Sequence, residues 1–328
     1  MNPSKNIQSI IPLLFLFLFL NPLVICQLDY SFYDNSCPNL SNIVKSSVTS
    51  AIAKETRMAA SLLRLHFHDC IVNGCDGSVL LDDTSSVRGE KGAGANKNSA
   101  RGFEIIDDIK ANVEKTCPST VSCTDILTLA TRDAVFLSGG PYYYLPLGRR
   151  DGKTASLSAA NEQIPSPVES LANITAKFTT KGLEGSDMVV LSGGHTIGFA
   201  QCFTFKNRLF NFEGSSKPDP SLDSSLLNNL QSQCPNQDSS DTNLAPLDPV
   251  TINKFDNVYY KNLITGSGLL QSDQALMKDS STASLVNKYS KYPYLFSKDF
   301  GASMVKLASV GVLTGGEGEI RKNCRLVN

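Results

Sequence analysis

Histidine is scarce in this sequence, which has only three among its 328 residues. A site that needs several imidazole ligands is therefore nearly excluded. Basic residues are not in excess either, because 30 Lys and Arg stand against 31 Asp and Glu, with a sequence pI of about 6.3. A nucleic-acid-binding protein usually leaves a basic footprint, so this balance argues against that class. The hydrophobic fraction of 41% is that of a globular chain rather than a disordered one.

Long apolar runs are lacking except near the N-terminus, where residues 10–20 form one stretch that contains Pro12. This stretch is too short to span a membrane. A lysine precedes it and small residues follow it, as in a secretory signal peptide. The sequence therefore predicts a signal peptide over 1–26 and a mature start at Gln27, which could cyclise to pyroglutamate. An N-terminal anchor helix is the alternative.

Cysteine, in contrast, is plentiful, and nine cysteines indicate an oxidising compartment. One lies in the predicted signal peptide, and the remaining eight predict four disulfides in a secreted chain. Eight cysteines allow roughly a hundred connectivities, and only Cys70 and Cys75 form a natural pair by spacing. Asn39-Leu-Ser and Asn173-Ile-Thr are N-glycosylation sequences, so Asn39 and Asn173 are predicted to lie at the surface.

Helical periodicity dominates the mature sequence. Apolar residues recur at three- and four-residue steps over 43–53, 61–68 and 103–113, and a further helix is predicted over 122–137. Strand-like alternation is rare and short, and no tandem repeat occurs. The pattern predicts a mostly α fold.

One predicted helix places chemically active side chains on a single face. Arg64, Phe67 and His68 are spaced i, i+3 and i+4, whereas His66 points elsewhere. A permanent cation disfavours protonation of a neighbouring imidazole, which would leave His68 neutral and able to act as a base. The alternative is a helix-face arginine beside a hydrogen-bonded core histidine.

Two oxygen-rich clusters could each bind a hard cation such as Ca²⁺. In the first, Asp69, Asp76 and Ser78 flank a tight loop that supplies carbonyl groups. The second combines Asp248, Thr251 and Asp256, which are close in sequence, with the distant Thr196. The carbonyl of Lys254, which lies between Thr251 and Asp256, could add a further oxygen. The alternatives are a disulfide-pinned acidic turn and a pair of helix N-caps.

His195 stands in a glycine-rich segment, 191–198, whose glycines allow the backbone to approach something flat or bulky. A zinc site and a Ser-His-Asp hydrolase are poorly supported, because the sequence has neither an HExxH nor a GxSxG motif. One axial ligand to haem iron needs only one histidine. Asp273 could accept the other ring N–H of such a histidine. A core histidine and an exposed loop aspartate are the alternatives.

Together these segments resemble the secretory (class III) plant peroxidases over nearly the whole mature chain. The similarity rests on the order and spacing of motifs that include Arg64-Leu-His-Phe-His-Asp-Cys70, Val72-Asn-Gly-Cys-Asp76, Leu191-Ser-Gly-Gly-His-Thr-Ile-Gly198, Phe255-Asp-Asn257 and Gln271-Ser-Asp273. The sequence has no tryptophan, but none of these motifs requires one. The chain stops four residues after Cys324, without the long extension of vacuolar members, so we expect export to the cell wall and apoplast.

The resemblance implies a mainly α, two-lobed haem peroxidase fold over 27–328, with one haem b between distal and proximal lobes and little β structure. His195 would be the axial haem ligand and Asp273 its carboxylate partner. Pro165 would place a backbone carbonyl at the edge where donors dock.

The resemblance also implies how the enzyme acts. Arg64 and His68 would be the distal catalytic pair, with Asn96 orienting His68 and Glu90 supporting Asn96. The implied reaction reduces H₂O₂ to water while phenolic donors are oxidised by one-electron steps. We expect a monomer that binds neither nucleic acid nor a membrane.

Two Ca²⁺ ions and four disulfides are implied in the same way. The distal ion would be bound by Asp69, Val72, Gly74, Asp76 and Ser78. The proximal ion would be bound by Thr196, Asp248, Thr251, Lys254 and Asp256. The disulfides would be Cys37–Cys117, Cys70–Cys75, Cys123–Cys324 and Cys202–Cys234.

A non-catalytic secreted Ca²⁺-binding glycoprotein on the same disulfide frame is the main alternative. Retention of Arg64, His68 and His195 argues against it, because such a protein needs none of them.

Overall fold

The structure is a computed structural model that describes residues 28–85 and 87–328. The predicted signal peptide, its cleavage site and Gln27 lie outside these residues. Within the described part, the helices are α1 (Leu40–Lys54), α2 (Met58–Val72), α3 (Phe103–Thr116), α4 (Cys123–Leu137), α5 (Leu157–Gln163), α6 (Leu171–Thr180), α7 (Gly185–Ser192), α8 (Lys206–Phe210), α9 (Ser224–Gln233), α10 (Val258–Ile264), α11 (Gln271–Gln274), α12 (Ser280–Lys291) and α13 (Pro293–Leu307).

The described residues contain one small sheet, in which β1 (Phe199–Gln201) pairs antiparallel with β2 (Leu244–Pro246). The prediction of a mostly α fold is therefore confirmed. Of the helices in the described ranges, none is both long and apolar enough to cross a membrane.

Helix α4 forms the centre of the N-terminal half, and its ends follow from the sequence. The Ser122 hydroxyl accepts a hydrogen bond from the Asp125 backbone N–H at 3.2 Å, which caps the first turn. The helix ends before Gly139, whose φ of +99° lies in the left-handed region. Almost every residue of α4 is buried, because α1, α2 and α3 pack around it. This packing fixes α2, which carries Arg64 and His68.

One hydrophobic core joins the two halves of the described chain. Apolar residues of α1–α4 belong to the same buried cluster as residues of α7, α10, α12 and α13. The C-terminal part of this cluster is aromatic, and the rings of Phe255 and Phe296 stack at 5.6 Å. A smaller cluster surrounds the Cys202–Cys234 disulfide. The core therefore holds α2 against the segment that contains His195.

Four disulfides connect the eight cysteines of the described residues in the pairs that the resemblance implied. They are Cys37–Cys117, Cys70–Cys75, Cys123–Cys324 and Cys202–Cys234. Each cysteine is buried. The Cys123–Cys324 bond ties the start of α4 to the C-terminus.

A buried polar network supports the loop that follows α2. The Asp151 carboxylate accepts backbone N–H groups from Cys123, Thr124 and Arg321 at 2.9–3.0 Å. Arg321 in turn donates to the Gly77 carbonyl at 2.8 Å. Because buried polar groups need partners, this network fixes the loop backbone around Gly77.

Candidate active site

A cavity of about 780 Å³ lies between α2, the segment after α7 and part of α13. Arg64, His68, Pro165, His195 and Asp273 all line it, although more than two hundred residues separate the first from the last. The fold thus brings these five predicted site residues together. The volume of the cavity is within the range of about 300–1,000 Å³ typical of small-molecule and cofactor sites.

His68 is buried and held in one orientation. Its Nδ1 is hydrogen-bonded to Asn96 Oδ1, while Asn96 Nδ2 donates to the Glu90 backbone carbonyl at 2.9 Å. Because the Asn96 amide nitrogen is used as a donor, its oxygen must accept, which places the His68 proton on Nδ1. His68 Nε2 is then an unprotonated acceptor. Glu90 supports Asn96 through its backbone rather than its carboxylate.

The environment of His68 keeps the imidazole neutral. Burial and the charge of Arg64 lower the pKa of His68 to about 3. Arg64 and His68 share one face of α2, as predicted from the sequence, and the charge of Arg64 disfavours protonation of His68 as expected. In contrast, His66 points away from the cavity, with Nδ1 3.6 Å from Cys70 Sγ.

The Arg64 guanidinium is held by neutral groups. It donates to the Ala95 carbonyl at 2.6 Å, the Ser99 carbonyl at 3.1 Å and the Ser99 hydroxyl at 3.0 Å. In the described chain no carboxylate forms an ion pair with it. Arg64 therefore brings an uncompensated positive charge to the cavity beside His68.

His195 lies in a 3-10 helix, Gly193–Thr196, and has a different partner. Its Nδ1 donates to Asp273 Oδ1 at 2.7 Å, and Asp273 is only 2% exposed. The His195 side chain is 41% accessible because it faces the cavity, and none of the described residues occupies its Nε2. The interpretation of Asp273 as an exposed loop residue is wrong.

Burial lowers the pKa of His195, but the charge and hydrogen bond of Asp273 outweigh burial. The net pKa of His195 is therefore raised. Tyr259 and the Leu270 N–H also donate to Asp273, at 3.0 and 3.1 Å. Tyr259 was missed by the sequence analysis, although it lies three residues after Asp256, on α10, and its burial followed only from the fold.

Buried carboxylates concentrate around the end of α2 and the loop that follows it. Asp69 accepts backbone N–H groups from Gly77 and Val79, and Asp76 accepts one from Ser78. Burial and the charge of Asp76 raise the pKa of Asp69, and burial also raises the pKa of Asp76. Burial raises the pKa of Glu90 to about 7. Repulsion between these groups would be relieved by a bound cation.

Two oxygens near this loop lack partners among the described residues. Ser78 Oγ and Glu90 Oε2 are both buried without a hydrogen bond. Buried polar atoms are rarely left unsatisfied, so the loop chemistry suits an oxygen-seeking cation. Val72 ends α2, and Gly74 lies in the loop that follows it. A side chain at Gly74 would place its Cβ 2.5 Å from the Gly311 carbonyl oxygen, so glycine is required there.

The second oxygen cluster also assembles. Asp248 Oδ2 and Asp256 Oδ1 each lie 3.1 Å from the Thr251 hydroxyl, and Thr196 Oγ1 accepts the Asp256 N–H at 3.4 Å. One hydroxyl has one proton, so it can donate to only one of the two carboxylates. The remaining contact between oxygens favours a cation. Lys254 lies in this segment with its side chain 70% exposed.

The predicted N-caps explain only part of this cluster. Asp256 Oδ1 accepts the N–H of Val258, the first residue of α10, at 2.9 Å, but the N-cap position itself is held by Asn257, whose side chain does not cap the helix. Asp248 begins no helix and instead binds the N–H groups of Val250 and Thr251. Away from both clusters, the glycosylation candidates Asn39 and Asn173 are exposed.

Comparison with known proteins gives the family. The model of the peroxidase family matches residues 44–292, which is most of the chain. The chain belongs to the peroxidase family. It is 60% identical to Peroxidase 10 of Arabidopsis thaliana over 91% of this chain and 86% of that protein. It is 53% identical to Peroxidase N of Armoracia rusticana over 92% of this chain and 91% of that protein, and 48% identical to Peroxidase 49 of Arabidopsis thaliana over 98% and 99%.

This peroxidase is therefore an oxidoreductase, and its predominantly helical fold is the one that the resemblance implied. Membership in an enzyme family argues against the non-catalytic Ca²⁺-binding glycoprotein.

Proposed function

We propose that this peroxidase is a haem enzyme that reduces H₂O₂ to water and oxidises phenolic donors by one-electron steps. One observation carries the proposal. Two histidines from distant parts of the chain line one cavity, and each has its Nδ1 bound to a protein partner and no hydrogen bond from a described residue at its Nε2. Such a pair provides one metal ligand and one base.

The residues present fit a haem. His195 would hold the iron through Nε2, because its Nδ1 is committed to Asp273. Phe300, Met304 and Leu307 on α13 add apolar surface to the cavity, which suits a flat macrocycle. A bound haem supplies the redox chemistry that couples the reduction of peroxide to the oxidation of a donor.

The distal residues would then handle protons and charge. His68, neutral and with Nε2 unprotonated, accepts a proton from peroxide and returns it to the departing oxygen, which leaves as water. Arg64 stabilises the negative charge that develops as the two oxygens separate. Asn96 holds His68 in the tautomer that this transfer requires. Pro165 lines the same cavity and would form part of the donor site.

We also propose two Ca²⁺ ions, one in each oxygen cluster. The unpartnered Ser78 hydroxyl and the buried Asp69 support the distal ion. The shared Thr251 hydroxyl supports the proximal ion. Because Asp69 follows His68 and Thr196 follows His195, each ion would hold one histidine in position.

For the whole protein, we propose a secreted enzyme of the cell wall and apoplast. A signal peptide over 1–26 would precede one peroxidase domain, 27–328, whose distal and proximal lobes enclose the haem. Four disulfides and the exposed asparagines Asn39 and Asn173 support an extracellular location and glycosylation.

The proposal is tested by one absorption spectrum on the purified protein and on two variants. The parent protein should show a Soret band that shifts on addition of H₂O₂. His195→Ala should lose most of the band, whereas His68→Ala should keep it and lose the rapid shift. A colourless, correctly folded parent protein would exclude the haem, and an unchanged spectrum in His195→Ala would exclude that residue as the ligand.

A further inference from the structure

A second cavity, of about 450 Å³, lies between the segment 141–144 and α13. Its walls include four tyrosines, a serine and a lysine, namely Tyr142, Tyr143, Tyr144, Tyr294, Ser297 and Lys298. Phe300 lines the cavity of the candidate active site, whereas the adjacent Gly301 lines the second one, so α13 separates the two. We call this second cavity the tyrosine groove.

Packing against α13 fixes the aromatic wall of the groove. A Cβ at Gly301 would lie 3.3 Å from Tyr143 Cβ, so glycine allows the segment to approach the helix closely. Tyr143 is buried there, while Tyr142 and Tyr144 on either side of it are exposed. The rings of Tyr142 and Tyr144 meet edge to face at 5.4 Å, which is a favourable geometry for two aromatic rings. The groove therefore presents rings that are already ordered.

The polar groups of the groove lack partners within the described residues. No hydrogen bond there is made by four of its hydroxyls, those of Tyr142, Tyr144, Tyr294 and Ser297. The Tyr143 hydroxyl is buried and also has no partner in this part of the chain. Because buried polar atoms are rarely left unsatisfied, the groove is suited to a ligand that carries hydrogen-bonding groups of its own.

The charge of the groove is positive. Among the described residues that line it, Lys298 is the one with a charged side chain, and its ammonium forms no ion pair with any of them. Arg132 lies behind the wall, with its guanidinium carbon 4.9 Å from the ring centroid of Tyr142, but Asp133 compensates for its charge at 2.8 Å. Lys298 is therefore available to an anionic group of a ligand.

The dimensions of the groove restrict what can occupy it. Sites for small ligands bury roughly 70–90% of the ligand surface, but Tyr144 and Tyr294 are 74% and 81% exposed, so these walls are too open to enclose a single small aromatic molecule. A folded protein partner needs about 20–30 residues on each side, far more than this concave groove supplies. A flexible chain of small polar rings fits between these limits.

We propose that the tyrosine groove binds a chain of acidic sugars. Each sugar ring presents a face of C–H groups that can lie on Tyr144 or Tyr294 and hydroxyls that can bind the free hydroxyls of the groove. A uronate carboxylate would meet the ammonium of Lys298. This site goes beyond the peroxidase reaction, because it lies outside the cavity of His68 and His195, and it would attach the enzyme to an acidic polysaccharide. It depends on the proposed cell-wall location only for the source of that ligand.

The test uses hexagalacturonate and its fully methyl-esterified form, which share a sugar chain and differ in charge. Binding of each to the purified holoenzyme is measured by calorimetry without peroxide and without free Ca²⁺, which uronates would bind. We expect the acid to bind roughly three- to tenfold more tightly than the ester, as for one charge-assisted contact at the surface. Added salt should reduce this ratio. On binding, hydrogen exchange should slow in the segment 141–144 and in the first turns of α13.

Two variants separate the charge from the aromatic wall. Lys298→Gln should bring the acid-to-ester affinity ratio close to one and leave binding of the ester unchanged. Tyr144→Ala should weaken binding of both forms by about tenfold, because it removes a ring that both contact. Lys153→Gln and Tyr30→Ala, at exposed residues outside the groove, are the matched controls and should change neither. All four variants should oxidise a small phenol at the parent rate.

Equal binding of acid and ester by the parent protein would overturn the proposal, and so would an unchanged acid-to-ester ratio in Lys298→Gln or unchanged binding in Tyr144→Ala. Binding of 4-hydroxycinnamic acid that is lost in Tyr144→Ala, with no binding of either sugar chain, would assign the groove to a small aromatic ligand instead. A protein with a Soret band that binds no hexagalacturonate loses the sugar site and keeps the proposed function. A colourless protein that binds it loses the haem and keeps the sugar site.

Discussion

His68 and His195 present the same atom, Nε2, to one cavity, but their Nδ1 atoms meet different partners. A neutral amide, Asn96, binds His68, and a cation stands beside it. A buried carboxylate, Asp273, binds His195. The pKa of His68 is lowered to about 3, whereas that of His195 is raised. Two identical side chains thus acquire different chemistry from their neighbours, one as a base and the other as a strong ligand.

The largest expected effect comes from removing the base. His68→Ala should slow the reaction with peroxide by roughly 10²–10⁴-fold, because proton transfer then loses its positioned acceptor. Haem binding should persist, since His195 is untouched. Stopped-flow absorption at the Soret band measures the rate. Asn96→Ala is the milder companion and should slow the reaction less. A variant that reacts at the parent rate would remove His68 from the mechanism.

The next effect comes from giving His195 an amide partner like the one that His68 has in Asn96. Asp273→Asn keeps the shape of the side chain and replaces a carboxylate with an amide. The imidazole of His195 should become a weaker donor, so the ferric/ferrous potential should rise and peroxide turnover should fall by roughly ten- to a hundredfold. Tyr259→Phe, which removes one donor to Asp273 but keeps its charge, should shift the potential less. An unchanged potential in Asp273→Asn would contradict the assignment.

Removal of calcium should affect the His68 side and the His195 side of the cavity together. Prolonged chelation leaves buried carboxylates such as Asp69 uncompensated, so the melting temperature should fall by about 5–10 °C and activity should decline. Added Ca²⁺ should restore both, and Mg²⁺ should not, because it demands a tighter octahedral site. Calorimetry with metal analysis provides the measurement. Full activity in a protein shown to contain no calcium would contradict the two sites.

The smallest effect is predicted at Lys254, which would contribute only its backbone carbonyl. Because its side chain is 70% exposed, Lys254→Ala should change the free energy of unfolding by no more than about 0.5 kcal/mol. Asp256→Ala, in the same cluster, should cost about 1–3 kcal/mol, since it removes a partner of Thr251. Urea unfolding with calcium present compares the two. A larger loss in Lys254→Ala than in Asp256→Ala would reverse this assignment.

Much of the site was predictable because its signals are local or lie in spaced motifs. The i, i+4 spacing of Arg64 and His68 puts them on one face of any α-helix, and α2 is one. Cys70 and Cys75 are close enough in sequence to pair. The long-range disulfides and the pairing of His195 with Asp273 followed from the motif resemblance, not from spacing alone.

What the sequence by itself determined, then, is the helical pattern, the inventory of reactive side chains and the motifs that reveal the family. Only the tertiary structure decided which atoms meet: Glu90 supports Asn96 through its carbonyl, Tyr259 donates to Asp273, and Arg57 lies over Phe199 while Glu55 is held by Arg101. These contacts join residues from separate elements, and their geometry depends on how the core packs α2 against the segments that follow α7. Local periodicity records which face of a helix is apolar, but it carries no information about the element that will cover that face.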